Sequence, residues 1–528
     1  MTSSNPPAVF DSGHIAQQML ALNAGAASAS EPLLPRQQVP AEGSELPAPE
    51  GTYSSTGRLP HDLTDRANAE LFASMYGGQF RYVEGNGWYT WDSGRWKLRG
   101  GEGAAVWAAG DMASQMPTFD PTGRFSPHDV TRHRRYSSST SGVKAMLHQA
   151  KASPDLSLEA EQLDGDPYVL CTPAGVVDLK TGTLRMADPL RDFNSRCTRV
   201  APAPTPTPRF FRFLADIFGD DADGKEMIDY LHILLGYSIT GDVGAQVLPF
   251  CHGDGANGKS VLLDTTVQIL GDYAHAAPPG FLMDRGGYTE HSTELTELYG
   301  RRLVVCSELK PSDKFDEVRI KLLTGGDKVT ARRMRQDFFT FAPTHHLWLL
   351  GNHHPEVATG GHAFWRRLRL IPFERKIPEN QKIDNLARIL VEEEGPGILA
   401  WLIDGARQFL ATRDPSRNRD NLAGPSRVRV ATTAYAATED HIGRFLTDLC
   451  QRQENMKVQQ TALYRVYAGW CQDEGVRPAG SRSFATRVRS ELGLKSPDEM
   501  IKSNGTRYYP GLGLSTNDAY MPHAPAIA

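Results

Sequence analysis

Residues 247–263 read VLPFCHGDGANGKSVLL, and no other stretch restricts the chain so strongly. An apolar, strand-like run ends at Gly253, the pattern G-x-x-x-x-G-K-S closes at Gly258, Lys259 and Ser260, and an amphipathic helix follows. Strand, glycine-rich loop, Lys-Ser and helix fall in register, which is the context a phosphate-binding loop requires. A triphosphate must be approached by several backbone N–H groups at once, so side chains at Gly253, Gly255 or Gly258 would hold it away. The candidate nucleotide-binding residues are therefore Gly253, Asp254, Gly255, Ala256, Asn257, Gly258, Lys259, Ser260 and Val261. The Lys259 ammonium can bridge the outer phosphates, and the Ser260 hydroxyl can ligate Mg²⁺.

The 528 residues are enough for roughly three to four domains. A net charge of −5 gives no global nucleic-acid footprint, so any such binding has to come from local basic patches. Cys171, Cys197, Cys251, Cys306, Cys450 and Cys471 are scattered without a C-x-x-C pair, which predicts reduced thiols and no structural zinc. No signal peptide and no run of about 20 apolar residues is evident, so the expectation is a soluble protein without membrane contact.

Residues 1–57 are rich in Ala, Ser, Pro and Glu and read as a disordered tail, within which HIAQQMLALNA has the spacing of a short helix. From Thr64 a helix, TDRANAELFASMYG, precedes an aromatic-polar alternation that predicts a small sheet with Trp88, Trp91 and Trp96 in its core. Asp164-Gly165-Asp166 reads as a turn rather than a metal pair. These residues, 58–200, form an expected α+β N-terminal domain; APAPTPTP at 201–208 is a stiff linker, and 209–242 a helical collar. The nucleotide-binding core is expected over 243–377 and a helical extension over 378–439.

Beyond the loop helix, GRRLVVCSEL is a buried strand ending in Glu308, placed where a carboxylate can sit beside Mg²⁺ and the attacking water. TGGDKVTARRMRQDFFTF reads as a hairpin carrying Arg332, Arg333 and Arg335 near its tip, with Lys328 nearby. HLWLLGN is a second buried strand, ending at Asn352, and HAFWRRLRLIPF sets Arg366 and Arg367 before a third. At 440–512, two helices, a basic helix with Arg487 and Arg489, and the hairpin-like IKSNGTRYYPGLG suggest a winged-helix-like DNA-binding domain. An oligomerisation or packing domain with solvated arginines fits the same pattern. The remainder, 513–528, reads as a disordered tail.

In this order and spacing, GDGANGKS, LVVCSEL, TGGDKVTARRMR, LLGN and FWRRLRLIPF resemble the superfamily 3 helicases, in particular the helicase part of phage and plasmid primase-helicases, a group that includes the poxvirus primase-helicase. The resemblance spans roughly residues 60–512 and implies an α/β, AAA+-like P-loop ATPase core with flanking domains. It further implies ATP and Mg²⁺ as cofactors, with Lys259 and Ser260 as their ligands, Ser260 and Glu308 at the metal, Glu308 polarising water and Asn352 sensing the γ-phosphate. Arg367, with Arg366 second, is the expected arginine finger toward a neighbouring subunit. Lys328, Arg332, Arg333 and Arg335 are the expected contacts to single-stranded or forked DNA.

Relatives usually assemble as hexamers, and many have two acidic residues where this chain has Ser307 before Glu308. The resemblance thus implies a ring-shaped replicative DNA helicase, located in the cytoplasm, of the bacterial host if phage-encoded, with any primase activity supplied by another protein. The rival readings are a nucleotide-stabilised assembly factor with little turnover, a bifunctional primase-helicase, and a small-molecule P-loop kinase, for which the basic hairpin would have no purpose.

Overall fold

The structure is a computed structural model that describes residues 57–286, 293–307, 309–332, 337–357, 360–413 and 422–515. The expected tails, Glu308, Arg333 and Arg335 lie outside the described residues, except for Gly57 and residues 513–515.

The central element is a five-stranded, all-parallel sheet of β8 (Leu248–His252), β9 (Ala274–Ala276), β10 (Leu303–Cys306), β13 (His346–Gly351) and β14 (Leu368–Pro372), in the order β14-β8-β13-β10-β9. LVVC and HLWLLG are almost wholly apolar because helices cover both faces of such a sheet. From β8 the chain crosses through α7 (Lys259–Leu270) to β9 at the far edge, while β13 and β14 flank β8. This switch opens a crevice beyond the carboxyl end of β8, where ligands of open α/β sheets bind.

One face of the sheet packs on α5 (Pro208–Phe218), α6 (Ala222–Ile239) and α10 (Leu386–Thr412). Helices α6 and α10 cross backbone to backbone, since a Cβ on Gly236 would lie 2.2 Å from the carbonyl carbon of Gly405. Collar and helical extension are therefore a single packed layer. On the other face lie α8 (Glu317–Thr324), the antiparallel ribbon β11 (Val329–Arg332) and β12 (Phe338–Phe341), and α11 (Ser426–Glu439).

The N-terminal unit combines α1 (Asp65–Tyr76), α2 (Gly101–Ser114), α3 (Pro127–Ser137) and α4 (Thr140–Ala150) with a sheet of β1 (Phe80–Val83), β2 (Gly87–Asp92), β3 (Arg95–Lys97) and β4 (Ser157–Leu158). Thr64, Ser126 and Ser139 cap the three helices that follow them, each accepting from a first-turn N–H. Trp88 and Trp96 are buried in this unit, as expected, whereas Trp91 is only half-buried and packs edge-on against Trp96. Asp164 is a structural turn residue whose carboxylate accepts from Ser195 N and Oγ.

A meander of β5 (Val169–Thr172), β6 (Gly175–Asp178) and β7 (Thr183–Arg185) shares its core with the central unit through Leu170, Val177 and Leu179. The proline-rich run after it is extended but is not a free spacer. Ala203 N donates to Pro396 O at 3.1 Å, and Gly397 lets Thr205 lie against α10.

The C-terminal unit has its own core, including Phe445, Tyr467, Phe484 and Tyr509. It comprises α12 (His441–Leu449), β15 (Cys450–Gln459), α13 (Gln460–Asp473), α14 (Ser481–Glu491), β16 (Ile501–Ser503) and β17 (Thr506–Leu514), with antiparallel sheet order β15-β17-β16. Asn504 and Gly505 take positive φ in the β16–β17 turn, the geometry that Asn-Gly favours. Among the described residues no helix is long and apolar enough to cross a membrane.

Candidate nucleotide site and hairpin

The loop after β8 curls through positive φ at Gly255 (98°), Ala256 (52°) and Gly258 (83°), and α7 begins at Lys259. Its first-turn N–H groups have no intrahelical acceptor, so the helix start favours an anion. Gly253 is required by crowding: a Cβ there would lie 2.3 Å from Phe373 O and 2.2 Å from Asn257 Nδ2.

A cavity of about 500 Å³ opens onto this loop. It is lined by Gly255 to Val261, by Ser307 and Leu309 at the end of β10, and by Leu350, Gly351 and Asn352 at the end of β13. Three separate sequence motifs thus meet at one place, while Asp254 is exposed beside the loop.

Lys259 is buried, and its Nζ donates to Gly253 O at 2.5 Å and to Asn257 Oδ1 at 2.9 Å. Burial lowers its pKa, against the opposing pull of Cys251 and Asp254. Asn257 in turn donates from Nδ2 to Phe373 O at 2.9 Å, and Ile377 N donates to Ala256 O at 2.8 Å. The chain leaving β14 therefore braces the loop, a task the motif does not reveal because Phe373 is 116 residues away. His252, just before the loop, packs against His354 with the rings tilted at 36° and 3.9 Å apart, and burial first, then His354 and Lys259, push its pKa down to about 4. Two histidines flanking two motifs were the only sequence trace of this contact.

Arg366 and Arg367 stand at the other end of the sheet. Arg367 is 6% exposed and donates to Thr324 Oγ1 at 3.0 Å, Ala363 O at 2.5 Å and Gln246 Oε1 at 3.3 Å. Arg366 is half-buried and donates to the same Gln246 oxygen at 3.0 Å. Both line a shallow cleft with Lys321 and Asp327. The structure thus gives Arg367, the first expectation for a finger, a packing task within its own chain.

On the hairpin, Lys328, Thr330 and Arg332 are exposed and alternate with buried Val329 and Ala331. Arg487 of α14 is held by Asp440 at 2.8 Å and Glu491 at 2.9 Å, and Arg489 donates to Thr486 Oγ1 at 3.1 Å. Arg487 is thereby a strut between α14 and the start of α12, and it would have to leave two carboxylates to reach a phosphate.

Three family models match the chain: D5 N terminal like over residues 69–219, a family of unknown function (DUF5906) over 251–367, and Poxvirus D5 protein-like over 437–495. The chain is 30% identical over 216 residues to a protein of Acanthamoeba polyphaga mimivirus provisionally named helicase L207/L206, covering 40% of this chain and 22% of that one. It is 26% identical over 376 residues to a protein of Invertebrate iridescent virus 3 provisionally named helicase 121R, covering 65% and 39%. A third relative, from African swine fever virus (isolate Tick/Malawi/Lil 20-1/1983) and provisionally named primase C962R, is 24% identical over 217 residues, covering 40% and 22%. The chain therefore spans less than half the length of these relatives. The A-form apo structure of the NrS-1 C-terminal region superposes with a TM-score of 0.40 at 12% identity, covering 70% of this chain and 89% of that one. The two D5 segments bear out the resemblance to the group containing the poxvirus primase-helicase.

Proposed function

We propose that this chain is an ATP-driven DNA helicase motor of the superfamily 3 type, with an AAA+-like core that works as a ring. The single observation that carries this reading is the cavity in which the phosphate loop, Ser307 and Asn352 converge. Lys259 would leave its two loop acceptors to neutralise the β- and γ-phosphates, and Asn352 would contact the γ-phosphate. The donor set fits a hard divalent cation, since Ser260, which is exposed, and Ser307 both line the cavity and carry hydroxyl oxygens. Mg²⁺ held there would neutralise charge on the phosphate oxygens; Glu308 is assigned to orient the attacking water.

The register of β14 supports a shared site. Leu368 pairs with Leu248 and Pro372 with His252, so the arginines before Leu368 stand about five residues, roughly 16 Å, from their own phosphate loop. An arginine so placed serves a neighbouring copy's nucleotide, and its side-chain setting favours Arg366 for that role over Arg367. Lys328 and Arg332 of the described hairpin, with Arg333 and Arg335, would hold a DNA strand by its phosphates. The C-terminal unit, with three helices and a hairpin, is compatible with a winged-helix-like DNA-binding module.

The test is ATP hydrolysis and displacement of a strand from forked DNA, with Lys259→Ala as control. DNA-stimulated turnover and unwinding, both lost in the variant, are expected. Binding of ATP with turnover indifferent to DNA would replace this reading with that of a nucleotide-stabilised assembly factor.

A further inference from the structure

A second cavity, of about 630 Å³, lies between β12 and the N-terminal unit, well within the size range of small-ligand sites. Tyr299, Phe339 and Phe341 line it on the core side, exposed Phe338 stands at its rim, and Glu84 and Glu161 line it from the N-terminal unit. Phe338 is 63% exposed, so its ring is accessible at the mouth of the cavity. It pairs directly across the ribbon with Arg332, whose guanidinium sits 5.1 Å from its ring centroid. Phe339 and Phe341 stack at 5.7 Å, and Tyr299 meets both edge-on, so the inner part of this wall is rigid. Tyr299 also donates its hydroxyl to Ala160 O at 3.0 Å, which fixes the N-terminal unit over the cavity.

We propose that this cavity receives an unstacked base of single-stranded DNA, with Phe338 as its stacking platform, so that the hairpin reads bases as well as phosphates. This rests on the hairpin lying on the DNA path. Cations interleaved with exposed aromatic rings are what a single strand needs, since phosphates track the charges and bases cover the rings. Arg332 and Phe338 supply one of each, side by side. The carboxylates of Glu84, Glu161 and Asp337 in the lining repel phosphate and accept from exocyclic amino groups, so the backbone stays outside the cavity beside Arg332 and cytosine or adenine is favoured over thymine.

The experiment measures equilibrium binding of the full chain, without nucleotide, to three single strands: dC homopolymer, dT homopolymer and a deoxyribose-phosphate strand lacking bases. The wild type is expected to bind dC more tightly than dT, and the baseless strand weakest. Phe338→Ala should lose about tenfold on dC, bind the baseless strand as the wild type does, and keep the wild-type salt slope. Phe338→Trp should restore binding, and Glu84→Ala with Glu161→Ala should erase the dC preference. Arg332→Ala serves as the separate arm, weakening all three strands and reducing the salt slope by about one. If Arg332→Ala behaves so but Phe338→Ala binds dC like the wild type, the base site is wrong and the hairpin stands. If neither variant alters binding, the hairpin reading falls as well.

Discussion

Lys259 shows how one side chain can be both buried and ready. Its ammonium is held by Gly253 O and Asn257 Oδ1, acceptors of the same kind that phosphate oxygens offer, so a nucleotide bound as proposed would exchange partners without exposing an unpaired charge. Buried titratable groups elsewhere in the core set a pH limit on the fold. Desolvation pushes the pKa of His345 down to about 4 and that of His346 to about 3, where its Nε2 donates to Thr240 O at 3.1 Å. Both rings are thus neutral in the folded chain, whereas the unfolded chain takes up protons as pH falls through about 6.5. Stability is complete above that value and declines below it, by up to roughly 2 kcal/mol per ring at pH 5. A urea midpoint clearly lower at pH 5 than at pH 7 is expected, with the gap narrowed in His346→Gln; equal midpoints would mean that these rings charge without cost.

At the scale of elements, the start of the first collar helix is held by one carboxylate. Both oxygens of Glu394, on α10, accept from the opening N–H groups of α5, Arg209 N and Phe210 N, at 2.8 Å each. Removing a cap usually costs about 1 kcal/mol, and leaving two buried donors without acceptors adds to it. Glu394→Ala is therefore expected to lower stability by about 2–3 kcal/mol and Glu394→Gln by about 1 kcal/mol, read as shifts in the urea midpoint; an unshifted midpoint would show that α5 does not depend on this cap. The sequence shows the elements better than their docking. Apolar runs locate β10, β13 and β14, and Asn-Gly locates the β16–β17 turn, because both signals are local. A carboxylate 184 residues from the N–H it caps leaves no such trace, and a proline-rich run has the same composition whether free or strapped down.

In the whole molecule, the phosphate loop and Arg366 occupy opposite ends of the same pair of parallel strands, β8 and β14. The loop's motif, the end of the LVVCSEL strand and Asn352 could be read from spacing because parallel strands deliver their carboxyl ends to a common crevice. Which of two adjacent arginines is the more deeply buried could not, since it depends on Thr324, Ala363 and Gln246 lying around Arg367. Strand β14 then acts as a rod, with the arginines at its start and Phe373, which holds Asn257, just past its end. A nucleotide contacted by Arg366 from one copy would thus be linked through that copy's own strand to its own phosphate loop, and in a ring built as proposed each site would depend on its neighbour. Arg366→Ala mixed into wild-type protein is expected to reduce DNA-stimulated hydrolysis more steeply than its fraction, since each variant subunit disables a neighbour's site. Arg367→Ala should chiefly lower stability. Activity that falls only in proportion to the Arg366→Ala fraction would show sites that work alone, and would remove this arginine from any neighbour's nucleotide.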